Sequence, residues 1–113
     1  MRTLNDYFIT AKIEDISTAG QVYVPVPDGG KVIKVITALN GAIATADADL
    51  TVKGAEGTMG TITVATASSA AGDVDTLEPT SNNAVLEGGT IEIETDGAST
   101  NTVSVDIVII VRR

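Results

Sequence analysis

Turn-forming residues interrupt this chain about every 8 to 12 positions, and the runs between them are short and rich in Val, Ile and Thr. The interruptions include Asp28-Gly29-Gly30, Asn40-Gly41, Gly54-Ala55-Glu56-Gly57, Glu87-Gly88-Gly89 and Asp96-Gly97. Glycine supplies positive φ at such turns without a steric cost. Val, Ile and Thr make up over a third of the chain, and branched side chains fit a pleated, half-buried surface. No amphipathic helix fits between turns so closely spaced.

The alternation within the runs assigns faces. Residues 7–16 read as a strand with Tyr7, Ile9, Ala11 and Ile13 on one side and Phe8, Thr10, Lys12 and Glu14 on the other. Residues 21–26 turn Val22, Val24 and Val26 to one face, and Pro25 and Pro27 make this an edge strand or a strand end. Residues 31–39 are apolar on both faces for part of their length, as in a central strand. A short strand is expected after Ala42, then one with Leu50 and Val52 inward, and one with Ile62 and Val64 inward. Residues 67–83 read as a long loop with room for a helical turn near Asp73 to Leu77. Residues 90–95 place Ile91 and Ile93 opposite Glu92 and Glu94. In the last strand, 102–111, one face is apolar throughout, and the other starts with Ser104 and Asp106 but ends with Val108 and Ile110.

Together these runs predict an all-β fold of about eight strands, an antiparallel β-sandwich, with a jelly roll favoured because one long connection suits it. Residues 1–6 read as a short N-terminal arm and residues 7–113 as a single domain.

The composition narrows function. The chain has no Cys and no His, so disulfides, thiolate sites and the commonest general base are missing. A net charge of −8 opposes binding to nucleic acid. No stretch is apolar over the length of a membrane span, and the first residues lack the apolar core of a signal peptide, so synthesis in a cytosol is expected. Charge is also polarised: between Lys53 and Arg112 every charged side chain is acidic.

Chemistry-bearing patterns are weak. Glu92 and Glu94 sit about 7 Å apart by strand geometry, a spacing of interest for a glycosidase, but a solvated strand face explains them better. Asp47/Asp49 and Asp73/Asp75 are D-x-D pairs without the remaining ligands of a calcium loop. The glycine pairs precede no helix and carry no phosphate-loop lysine. The expectation is therefore a non-enzyme with no cofactor and no metal. What remains is surface: Val108 and Ile110 are apolar on a face where a monomer wants polar residues, so either a second sheet or the N-terminal segment covers them, or they form a subunit interface.

The segments LNDYFITAKIEDIST, VPVPDGGKVIKVITALNGAIATADADLTV and AAGDVDTLEPTSNNAVLEGGTIEIETDGAST cover nearly the whole chain. In their turn-and-strand pattern the chain resembles the small decoration, or cement, proteins of tailed bacteriophages. That resemblance implies a β-sandwich bound to the outer surface of an assembled capsid, made in the host cytoplasm. Its implied partners are the major capsid protein and further copies of itself, with a trimer favoured over a dimer. The implied role is to clamp neighbouring capsid subunits, with many weak contacts multiplied by avidity on the lattice.

On this reading the candidate contact residues are Arg2, Leu4, Tyr7, Val108, Ile110 and Arg112. The arm would order on binding, and the basic early strands and termini would face the lattice while the acidic loops point away. The competing reading is a receptor- or carbohydrate-binding module of a phage tail or fibre. The single Phe, two Tyr and absent Trp leave it short of stacking platforms for sugars.

Overall fold

The computed structural model describes residues 5–113. Arg2 and Leu4 lie outside the described residues. Nine strands follow in order: β1 (Asp6–Ile13), β2 (Gly20–Pro25), β3 (Gly30–Leu39), β4 (Ala48–Gly54), β5 (Gly57–Val64), β6 (Val74–Leu77), β7 (Ala84–Val85), β8 (Thr90–Thr95) and β9 (Val105–Arg112). No helix occurs among the described residues. The all-β antiparallel sandwich expected from the alternation is what the chain forms.

The strands make two sheets. One has the order β1-β9-β3-β6, with β7 also pairing β3, and the other has the order β2-β8-β4-β5. Every pairing is antiparallel. With β7 set aside, the partners nest along the chain: first strand with last, β2 with β8, β3 with β6, and β4 with β5.

The core lies between the sheets and is almost wholly aliphatic. Val32, Val35, Leu39, Ile107 and Ile109 from one sheet meet Leu50, Val52, Ile62, Ile91 and Ile93 from the other, all buried. Each strand contributes alternate residues, because successive side chains point to opposite faces. Two polar side chains in the interior find backbone partners: the Thr95 hydroxyl donates to the Ile16 carbonyl at 2.9 Å, and that of Thr37 donates to the Asp75 carbonyl at 3.5 Å. The β1–β2 turn is held by Asp15, whose carboxylate accepts from the Ser17 amide at 2.9 Å. Pro25 ends β2, an edge strand, and β3 lies in the middle of its sheet, as their compositions predict.

Two expectations need correction. The expected strand after Ala42 is only an isolated bridge between Ala44 and Thr100. Residues 74–77 are neither loop nor helical turn but strand β6, paired with Val35–Ala38 of β3. A four-residue run leaves too little alternation to register as a strand, and its partner is supplied from 38 positions away in sequence. Strand β1 begins at Asp6, opposite Arg112.

Candidate functional site

The pleat and the register of three strand pairs build the outward face of the β1-β9-β3-β6 sheet row by row. Across the sheet the rows run Asp6, Arg112, Lys31; then Phe8, Ile110, Lys34; then Thr10, Val108, Ile36, Thr76; then Lys12, Asp106, Ala38, Val74. The middle of this face is apolar. Phe8 is 69% exposed and Val74 60%, while Val108, Ile36 and Ala38 are half-buried. Ile110 is buried between Phe8 and Lys34 in its row. The second sheet does not cover Val108 and Ile110, since it packs on the opposite side.

At one end the face runs into a cleft of about 550 Å³ lined by Ile33, Val85, Leu86, Lys31, Arg112 and Arg113. Leu86 is 69% exposed at its rim. The β-bulge between Val32 and Lys34 lets both Lys31 and Lys34 stay on the outer side while Val32 and Val35 stay in the core.

The outward face of the other sheet differs in kind. Its rows run Gln21, Glu94, Thr51, Thr61 and Tyr23, Glu92, Lys53, Thr58. Lys53 Nζ lies 3.0 Å from Glu94 Oε1, and this hydrogen bond and charge hold the ammonium above its ordinary pKa. Glu94 is therefore an ion-pair member on a polar strand face, not half of a poised carboxylate pair. The strands of this sheet carry one cation, Lys53, against Asp49, Glu92 and Glu94. The strands of the first sheet carry Lys12, Lys31, Lys34 and Arg112 against Asp6, Asp75 and Asp106. The polarity seen along the sequence thus becomes a difference between the two outer faces.

The acidic loops have structural tasks. Asp47 Oδ1 accepts from the Thr66 amide at 2.9 Å, Asp49 Oδ1 from the Thr63 hydroxyl at 2.9 Å, and Asp73 Oδ2 from the Ala70 amide at 3.0 Å. Each D-x-D carboxylate named here braces a turn or a ladder.

Tyr7 belongs elsewhere than the outer face. It lies on the core side of β1, packed against the core. Its hydroxyl donates to the Asp28 carbonyl, the Arg113 guanidinium sits 5.1 Å from its ring centroid, and Arg113 Nε is 3.3 Å from Asp28 Oδ2. Burial raises the phenol pKa. Tyr7 ties the C-terminus and the β2–β3 turn to β1. Arg112 is on the outer face but is engaged by Asp6 through two hydrogen bonds.

No family model matches the sequence, and no curated protein does. Among solved structures, the chain is similar to one in the acidic stable capsid of Helicobacter pylori bacteriophage KHP30. The TM-score is 0.62 at 18% identity, over 96% of this chain and 87% of that one. At that identity the likeness shows the fold. It spans the whole sandwich, so the outer face described above lies on the shared scaffold.

Of the six residues expected at a contact surface, Val108, Ile110 and Arg112 share this face. Phe8, Ile36 and Val74 were missed. Phe8 carried a signal, being the chain's one Phe on the polar side of its strand. Ile36 and Val74 carried none, because their place beside Val108 depends on pairing between distant segments.

Proposed function

We propose that this chain is a structural protein of a phage virion, which seats on the outer surface of the assembled capsid and cements neighbouring major capsid subunits. The observation that carries the reading is the contrast between the two outer faces. A sandwich with one polar, acidic face and one apolar face with exposed Phe8 and Val74 is suited to lie flat on another protein with its acidic side to solvent. The likeness in fold to a chain of a phage capsid supports this reading, and the nested strand pairing supports a jelly roll as its framework. Synthesis in the host cytoplasm and residence on the virion surface follow from the same role. No catalytic step and no cofactor enters it.

A sugar-binding module would need stacked aromatic rings. The polar face offers Tyr23 alone, 57% exposed, which places the tail or fibre reading second.

The test is co-sedimentation with capsids of the cognate phage that lack this protein. The double variant Phe8→Ser, Val74→Ser should lose occupancy, and Tyr23→Ser on the other face should keep it. Equal binding by both variants overturns the assignment of the face. No binding by the unaltered chain overturns the function.

A further inference from the structure

The ion pairs among the described residues join Lys53 to Glu94, Arg112 to Asp6 and Arg113 to Asp28. Lys12, Lys31 and Lys34 have no ion-pair partner there, and all three point out from the apolar face. The chain holds 15 acids against 7 cations, so a shortage of carboxylates is not the reason.

The register shows how little compensates each lysine. Lys12 stands opposite Asp106, whose Oδ2 accepts from Asn40 Nδ2 at 3.1 Å. Lys31 has Arg112, a like charge, on one side and Ala84 on the other. Asp6, one strand further on, is held by Arg112 through both carboxylate oxygens and is 1% exposed. Lys34 is half-buried beside Ile110, and its other side faces the gap between β6 and β7. Glu78, just past β6, makes no ion pair with it. Like charges on neighbouring strands are destabilising, yet this end of the face keeps Lys31 beside Arg112.

The bulge in β3 places the second lysine. In an unbroken ladder residue 34 would fall opposite Ile109 and point into the core. Leaving Ile33 as the extra residue returns Lys34 to the outside. Lys31 and Lys34 then stand opposite Arg112 and Ile110, two residues apart on β9, so their attachment points lie about 7 Å apart on one face.

We infer that the surface receiving this face carries a pair of carboxylates, about 7 Å apart, beside its apolar patch, and that Lys31 and Lys34 bind that pair. This rests on the cement reading and adds what the capsid must present at the contact. Protein carboxylates fit better than phosphates. Two lysines bordering Phe8, Ile110 and Ile36 do not form the run of cations that a nucleic-acid backbone needs, and the net charge is −8. The apolar centre supplies the salt-insensitive part of the contact, and the lysine end supplies the part that salt screens.

Co-sedimentation with capsids of the cognate phage that lack this protein, at about 50 and about 500 mM NaCl, tests this. The unaltered chain should bind more weakly at high salt. The double variant Lys31→Gln, Lys34→Gln should bind about tenfold more weakly at low salt, lose most of the salt dependence and melt like the unaltered chain. Lys53→Gln, on the other face, should bind as the unaltered chain does. If the double variant binds like the unaltered chain, or keeps its full salt dependence, this inference fails while the cement reading stands. If the unaltered chain does not bind at all, both fail. Fluorescence anisotropy with a labelled DNA duplex separates the two anion sources: binding that the double variant loses would assign the lysines to phosphate and overturn the carboxylate pair.

Discussion

Arg112 grips Asp6 across the β1–β9 ladder, its Nε and Nη2 donating at 2.8 and 2.9 Å to the two carboxylate oxygens. The hydrogen bond and the charge of Asp6 raise the Arg112 pKa further. Lysine cannot reproduce the planar fork. Arg112→Lys should lower Tm, because it leaves the Asp6 side chain, 1% exposed, with a poorer partner. Lys53→Gln should change Tm less, since both members of its pair with Glu94 are far more exposed than Asp6. Differential scanning calorimetry of the two variants checks the order.

Leu50 stands in the middle of the sandwich with no exposed surface. Leu50→Ala should cost about 2–5 kcal/mol, from lost transfer energy plus the cavity left behind. That is a large part of the stability of a domain this size, about 5–15 kcal/mol. Urea denaturation should show a lower midpoint with an unchanged slope.

Gly30 is where β3 passes closest to the end of β9. A Cβ there would lie 2.4 Å from the Arg112 carbonyl oxygen, and a backbone atom cannot swing aside. Gly30→Ala should destabilise by about 1–3 kcal/mol through overpacking. Its φ is not among the positive values, so strain in the glycine's own conformation is not the cause. A crystal structure of the variant should show β3 and β9 spread apart at this end.

Asp75 has a raised pKa, first because burial penalises its charged form and then because Asp73 is near. A carboxyl raised in the folded state binds its proton more tightly folded than unfolded. This group therefore opposes folding at neutral pH, and that cost falls away as pH drops through its folded pKa. Asp75→Asn should raise Tm at pH 7 and should lose that advantage in acid. Asp15 acts in the opposite sense: hydrogen bonds from Ser17, side chain before backbone, lower its pKa. Its contribution is present above the ordinary Asp value and is lost as pH falls through the lowered one. Asp15→Asn should therefore weaken the fold at pH 7 and converge with the unaltered protein in acid. Thermal melts across pH 2 to 7, spanning the ordinary carboxylate range of about 4, separate the two.

Which residues face inward was legible along the chain, because the two-residue period of a strand is local. The edge role of β2 was legible from Pro25, and the central role of β3 from its two apolar sides. An apolar patch on the outside was legible at Val108 and Ile110. Its extent was not, because Phe8, Ile36 and Val74 come from three separate segments. Strand β6 was hidden for the same reason: four residues without a visible partner have no period of their own.

The sequence by itself therefore determined most of the strands, their inward faces and the acidic bias of the second half. These depend on backbone sterics, side-chain alternation and turn chemistry within a few residues. Only the tertiary structure decided which strands are neighbours, and with that which outer face is apolar and where the few cations gather. Those properties arise from pairings as distant as Asp6 with Arg112, which no short-range pattern encodes.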